Sequence, residues 1–360
     1  MFSGLVMNLR VETVFIWLLV FVPISFVCAF VLKNPVLTFI TAIISIVPLA
    51  RVIGFATKEL VLKSNPMMGG LVNATFGNII ELMIAIMALS QGLIQLVKAS
   101  IIGSIIGNIL LLIGLSVFVG GFKYKEQKFN KDSVGVSSTM LIIAVVGLAI
   151  PTVYALTVKP DFGTVQLLSD SVAVVLAIIY CAGLVFALFT HKHLFDASDE
   201  IKAAKENSLI SRKMAVLILL VSTVFVAFEC NLVVKYVEVA AGSLGFTQTF
   251  IGVVVIAIIT NIAEKANAIH FSLENKLDVA LEIGLSSAIQ IALFVVPILM
   301  LISHFMGYGF SLVFSMFEII SVVFAVMIVN YLSSDGRCNW LEGAQLMSVY
   351  LIIVTAFYFI

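Results

Sequence analysis

The chain has 360 residues, of which 62% are hydrophobic and only 11% charged, with no formal net charge and a mean hydropathy of +1.20. A soluble protein carries about twice that charged fraction, so the composition excludes an ordinary water-soluble globule. A neutral chain with so few basic residues also gives no footing for a nucleic-acid partner.

Apolar runs near the ~20 residues that an α-helix needs to cross a bilayer recur from end to end. They predict eleven spans: 11–32, 35–57, 69–90, 93–120, 134–158, 166–190, 213–240, 247–271, 278–303, 310–332 and 340–360. The expected fold class is an all-α integral membrane protein. The organisation is a leading helix (1–34), a first five-helix unit (35–190), a connecting loop (191–212) and a second five-helix unit (213–360). Arg10 is followed by an apolar stretch longer than a signal-peptide core, without a small-residue cleavage site, and reads as an uncleaved first span. Cys28, Cys181, Cys230 and Cys338 share no CxxC spacing and read as small core residues.

Basic residues set the orientation. With eleven spans, fourteen of them fall on the side of the N-terminus: Arg10, Lys58, Lys63, Lys123, Lys125, Lys128, Lys131, Lys192, Lys202, Lys205, Arg212, Lys213, Lys276 and Arg337. Four fall opposite, at Lys33, Lys98, Lys159 and Lys235, while Arg51 and Lys265 lie inside spans. That bias predicts a cytoplasmic N-terminus and an outside C-terminus in a multi-pass protein. The lack of a long hydrophilic N-terminus points to a prokaryotic cell membrane.

Two stretches inside the spans carry the chemistry. GNIIELMIAIMAL at 77–89 and TNIAEKANAIHF at 260–271 superpose at a shift of 183 residues, which takes Asn78 to Asn261 and Glu81 to Glu264. The same shift takes Ser104 to Ser287 in the following spans. The copies lie in spans three and eight and therefore cross in opposite directions, the mark of an inverted repeat with a binding site near the bilayer midplane. A charge at that depth costs at least ~2.5–3.5 kcal/mol, so repeat-matched glutamates argue for function over idle structure. Asn and Glu three residues apart share a helix face. Asn78, Glu81, Asn261 and Glu264 would therefore point at one place, with hydroxyls from Ser104 and Ser287 and amides from Asn108 and Gln290 beside them.

Such an oxygen-only cage suits a hard cation. Ca²⁺ takes 6–8 oxygen ligands, and two carboxylates neutralise one divalent ion. Two bare carboxylates repel each other when the cation leaves, and protons relieve that repulsion. Proton/cation exchange at one shared site follows. For Ser104 and Ser287 the alternative is close helix packing through small residues, and for Gly103 and Gly107 packing is the stronger reading.

On these residues the sequence resembles the cation/proton exchanger family of the calcium/cation antiporter superfamily. GSIIGNILLLIGLSVFVGG at 103–121 and SSAIQIALFVVPILM at 286–300 extend the likeness, which runs from about residue 35 to the C-terminus. The resemblance implies eleven spans and antiport of Ca²⁺, or a related divalent cation, against H⁺ by alternating access. It implies Glu81 and Glu264 as the metal ligands and proton carriers, with Gly77, Asn78, Asn261, Ser104, Ser287 and Gln290 lining the site. No cofactor is implied beyond the transported Ca²⁺ and H⁺; the lipid bilayer is the expected partner, and a homo-oligomer stays open. The second signature usually reads GNAAEH, whereas here Thr260 replaces its Gly and Lys265 its His. An unperturbed Lys does not titrate near neutral pH as His does, so Lys265 is a candidate for tuning the site, unless it pairs with Glu229, Glu282 or Glu318.

Glu282, four residues before Ser286, is a candidate proton relay or simply a helix-start acid. Arg51 and Lys58 are expected to snorkel or pair, and His191, His193, His270 and His304 to be interfacial. The acids of the 191–213 connection, Asp196, Asp199, Glu200 and Glu206, form no EF-hand. Sodium-coupled exchange is the main alternative, but its Ser-Pro-Glu and Pro-Asp motifs are missing. A channel is less favoured. The spans lack HExxH, a serine elbow and paired aspartates, which argues against an enzyme.

Overall fold

In the computed structural model, residues 14–64, 66–191, 194, 210–332 and 334–360 are described. Arg10, Lys192, His193, Lys202, Lys205, Asp196, Asp199, Glu200, Glu206 and most of the 191–212 connection lie outside them. Among the described residues, thirteen helices and two short strands follow in order: α1 (Val14–Leu32), α2 (Pro35–Leu62), α3 (Pro66–Gly77), α4 (Ile79–Ser90), α5 (Ile94–Lys123), β1 (Glu126–Lys128), α6 (Lys131–Val158) and α7 (Phe162–Thr190). After the connection come α8 (Arg212–Leu244), α9 (Gln248–Thr260), α10 (Ile262–Leu273), α11 (Leu277–Met306), α12 (Met316–Leu332), β2 (Arg337–Asn339) and α13 (Trp340–Tyr358).

Eight of these helices are long and apolar enough to cross a membrane, and the bent pairs α3/α4 and α9/α10 raise the number to ten if each is one span. The helix α12 is apolar but has 17 residues, about 25 Å at 1.5 Å per residue. The two bent pairs correct the expectation of continuous spans at 69–90 and 247–271. Each breaks at an asparagine, Asn78 or Asn261, whose backbone leaves helical geometry (φ −113° and −101°), and the chain turns by 52° and 56°. The helix ends obey the sequence shift of 183: Gly77 and Thr260 end the first arms, Ile79 and Ile262 start the second, and Ile94 and Leu277 open the next helices.

Helix starts are built from local chemistry. Asn34, Asn130, Asp161 and Ser211 each accept a backbone N–H of the first turn, and Asn339 with Glu342 forms a reciprocal capping box. Burial separates the centre from the rim: 83% of the most apolar window of α5 is buried, against 17% for α7. So α5 is a core helix, while α1 and α7 present Trp17, Phe30, Leu167 and Ile178 outward, as a lipid-facing surface does. Cys28, Cys230 and Cys338 are buried as expected, but Cys181 is exposed on α7.

Contacts sort the connections onto two faces. On one, β1 pairs antiparallel with β2, Gln127 opposite Cys338, and Tyr124 and Lys123 reach Leu273. Because it gathers Lys123, Lys128 and Arg337, this is called the basic face. On the other, Tyr308 reaches Ser90, Gln166 reaches Phe310, and Phe246 packs on Tyr358.

The expected span 310–332 is also corrected. Residues 308–315 are not helical, yet Phe310, Ser311, Leu312 and Phe314 are buried. Backbone polar groups at such depth must find partners inside the protein. Ser169 accepts from Leu312 N at 3.1 Å, and Thr152 accepts from Phe314 N at 3.0 Å. Thr152 Oγ1 also donates to Leu312 O at 3.2 Å, and Gln166 Nε2 donates to Phe310 O at 3.1 Å. Lys98 Nζ donates to Val313 O. Lys98, counted above as a connection residue, is thus a buried cation within α5, near the Phe310 and Phe314 rings and Glu318.

Candidate functional site

The site lies where the two helix breaks face each other. At each break the first residue of the next arm is an isoleucine, and the acid follows two residues later, so Glu81 and Glu264 sit in the first turns of α4 and α10. Carboxylates there are favoured by the exposed backbone N–H groups and the helix dipole. The two arms bring the acids together. Glu81 lies beside the Thr260 and Asn261 side chains, Glu264 lies beside Ser287, and Glu81 acts electrostatically on Glu264.

The polar residues predicted around them form one buried network across the halves. Asn78 Nδ2 donates to Gln290 Oε1 at 2.6 Å. Asn108 Nδ2 donates to Ser287 Oγ at 2.8 Å and to Asn261 Oδ1 at 3.3 Å. Asn261 Nδ2 donates to Ser104 Oγ at 3.4 Å and to Thr260 Oγ1 at 3.0 Å. Asn78, Asn108, Asn261, Ser104 and Ser287 are all buried. Buried polar atoms normally find partners, yet Asn78 Oδ1, Asn108 Oδ1 and Glu264 Oε2 have none. These three buried oxygen acceptors in one polar cluster keep lone pairs free, a donor set that could hold a hard cation. Among the described residues no group of three His, Cys, Asp or Glu gathers, so the cage is amide, hydroxyl and paired carboxylate. The turns just after the network, Gly107–Leu112 and Ile291–Val295, are π-helical, a distortion frequent at functional sites.

Lys265 is buried, with Nζ 3.5 Å from Ala257 O at the end of α9. Its charge is felt by Glu264 and Glu81, not by Glu229, Glu282 or Glu318. Glu229 accepts from Ser25 Oγ at 2.7 Å, and Glu318 accepts from Ser315 N at 2.8 Å. Glu282 stands apart from the network, and neither of its oxygens has a hydrogen-bond partner among the described residues. Arg51 reaches across to Asn267 at 2.6 Å. Sequence reasoning missed Thr260 as a neighbour of Glu81; its hydroxyl at the family's glycine position was the available signal.

The helices around this network pack differently towards the two faces. Away from the basic face, α9 lies tightly on α5: a Cβ at Gly103 would overlap the Val253 backbone, and one at Gly252 would sit 2.6 Å from Ala99 Cβ. Leu96 through Ile106 are all buried. Gly103 is therefore a packing glycine, as expected, whereas a Cβ at Gly107 would meet nothing within 4 Å. On the basic face the matching arm α3 packs on α2 and the end of α7 instead of on α11. Asn73 and Gly77 are exposed, and Val279, Glu282, Ile283, Ser286 and Gln290 of α11 keep partial exposure. The cleft between α3 and α11 is bounded by the Asn78–Gln290 contact, and Glu81 and Glu264 are themselves only partly covered.

Comparison with known proteins agrees with this architecture. The model of the sodium/calcium exchanger protein family matches residues 34–189 and again 214–359. A Ca(2+)/H(+) antiporter of Aphanothece halophytica is 40% identical, the match covering 98% of each chain. The Ca(2+)/H(+) antiporter ChaA of Bacillus subtilis is 37% identical over 94% of this chain and 96% of its own. Among solved structures, native YfkE superposes with a TM-score of 0.84 at 35% identity, covering 96% of this chain and all of that one. An H+/Ca2+ exchanger CAX structure shares the fold, with a TM-score of 0.72 at 15% identity over 97% of this chain and 92% of that one.

Proposed function

We propose that this chain, which belongs to the sodium/calcium exchanger protein family, exchanges Ca²⁺ for H⁺ across a membrane by alternating access. The observation that carries the reading is the meeting of Glu81 and Glu264 in one buried oxygen network drawn from both halves. Similarity to proteins named Ca(2+)/H(+) antiporter along nearly the whole chain supports the same ion pair.

In this reading the transporter has eleven spans: the eight long helices, the two bent pairs and α12. It consists of a leading helix and two inverted five-helix units joined by the 191–212 connection. The shared helix boundaries at a shift of 183 and the twofold family match support that division. The basic face is cytoplasmic in this reading, which the distribution of Lys and Arg supports.

Glu81 and Glu264 supply the charge for Ca²⁺. Asn78, Asn108, Asn261, Ser104, Ser287 and Gln290 supply oxygens, with the Gly77 backbone at the cleft's narrow end. When the cation leaves, protons take its place on the two carboxylates, and the protonated or metal-filled cage crosses between faces where a bare one does not. Lys265 stays beside both acids, so the empty cage with two ionised glutamates holds a net charge of −1 instead of −2. It tunes affinity without being a ligand.

Proteoliposomes test this. An imposed pH gradient, with no Na⁺ present, is expected to drive Ca²⁺ movement towards the acidic side. Ca²⁺ movement that requires Na⁺, or ignores the pH gradient, overturns the reading in favour of the sodium-coupled alternative or a passive pathway.

A further inference from the structure

The closed side of the molecule says what the open side becomes. In an inverted repeat each half adopts in one state the packing that the other half has in the opposite state. The closed contact is made by Gly252 against Ala99 and by Gly103 against Val253. Subtracting or adding 183 gives the contact that must form when the basic face closes: Gly69 against Glu282, and Ser286 against Gly70. Three of these four positions keep small residues, suited to close approach of α3 and α11. The fourth does not: where the closed side has Ala99, the open side has Glu282.

We propose that Glu282 is a second proton-binding site, separate from the central cage, and that the basic-face gate closes only over its protonated form. This rests on the alternating-access reading above. In the open structure Glu282 keeps partial exposure to the cleft, while Oε2 is already buried without a partner. Closure brings the Gly69 backbone over the remaining carboxyl surface and removes the water.

No neighbouring charge substitutes for the proton. On α10, Lys265 is turned to Ala257, and His270 pairs with Glu274. At the end of α5, Lys123 is bound to Leu273 O, and Glu126 of β1 pairs with Arg337. Lys131 and Asp132 open α6, and neither makes a hydrogen bond or ion pair with Glu282. Nothing between Pro66 and Gly77 of α3 ionises. An unpaired carboxylate in such a contact carries the full cost of burial, whereas its neutral acid does not. The closed population therefore falls about tenfold for each unit by which pH on the basic face rises above the carboxyl's midpoint.

The test is cross-linking between Gly70→Cys and Ser286→Cys, the positions equivalent to Val253 and Gly103, in the full chain with exposed Cys181 replaced by Ser. A short bifunctional reagent is expected to link the pair increasingly as pH falls. In Glu282→Gln, and in Glu282→Ala, which copies Ala99, the yield is expected to be high and independent of pH. Linking with an unchanged pH dependence in both variants overturns the proposal, as does absence of linking in the parent at every pH. The readout is conformational, so a failure of Ca²⁺/H⁺ coupling in proteoliposomes would appear separately.

Discussion

The two gates of this protein are built on one template and stand in opposite states. On one side Gly103 and Gly252 let α5 and α9 meet backbone to backbone; on the basic side Gly69 and Gly70 face no such partner on α11. Packing is all-or-none at such contacts, because interiors are as dense as organic crystals. A gate is then shut or open, with little between. The difference also separates the glycines by state: Gly103 matters to the structure described here, Gly70 to the one it must visit.

The largest effect tests whether both halves serve one site. Glu81→Gln and Glu264→Gln are each expected to lower Ca²⁺ flux by about 100-fold or more, the order found when one member of a buried charged constellation is removed. Near-normal flux in either variant would mean that the halves work independently.

Next comes the contrast between glycines. Gly103→Ala is expected to destabilise the protein by about 1–3 kcal/mol, the usual cost of overpacking, seen as earlier thermal unfolding in detergent. A Cβ at Gly70 meets only side-chain ends, Leu188 Cδ1 at 2.9 Å and Leu184 Cδ2 at 4.0 Å. The unfolding temperature of Gly70→Ala should hold while turnover slows. Equal destabilisation by both would erase the asymmetry.

Lys265→Gln sharpens the electrostatic side. Removing the ammonium is expected to lower the KM for Ca²⁺ about tenfold, the scale of one nearby charge at moderate effective dielectric. An unchanged KM would make Lys265 a bystander.

A smaller effect is expected at the ends of the arms. Tyr308 Oη donates to Ser90 O at 2.9 Å, and Tyr124 Oη donates to the repeat-equivalent Leu273 O at 3.0 Å. Lys123 also holds Leu273 O, and Gln127 holds Ser272 O. Tyr308→Phe should therefore cost about 0.5–1.5 kcal/mol, and Tyr124→Phe measurably less.

The smallest concerns Asp161, whose carboxyl is held below the usual carboxylate range by hydrogen bonds from the Thr164 side chain and then its backbone. A carboxyl shifted down stabilises the fold above its ordinary titration range, and that contribution is lost as pH falls through the folded-state value. Asp161→Asn should flatten the acid limb of the stability profile slightly; an identical limb would remove Asp161 as its cause.

Much of the fold was legible because apolar length and a shift of 183 residues are one-dimensional signals. The Asn–Glu pairs marked where the two halves share a buried polar network for the same reason, and Asn108 and Gln290 followed from their spacing. The helix breaks did not show, because the stretches 69–90 and 247–271 each have the length of one span, and a single Asn within them carries no break signal of its own. The non-helical stretch 308–315 was hidden likewise. Its partners Lys98, Thr152 and Ser169 come from far along the chain, and no local pattern announces them. Lys98 even misled, since a lysine near a span end normally belongs to the connection. Which gate is shut was not legible either: Gly69 and Gly252 are equivalent in the two halves, and the difference lies in how distant helices pack around them.

That non-helical stretch has a consequence for how the molecule is made. The Phe310, Leu312 and Val313 carbonyls and the Leu312 and Phe314 amides find their partners on α5, α6 and α7, all synthesised earlier. Emerging from the insertion machinery, it has no helix of its own with which to shed water and must dock on helices already in place. The C-terminal half expressed alone would lack that berth, so co-expression of the two fragments should rescue membrane assembly where the second fragment by itself is degraded.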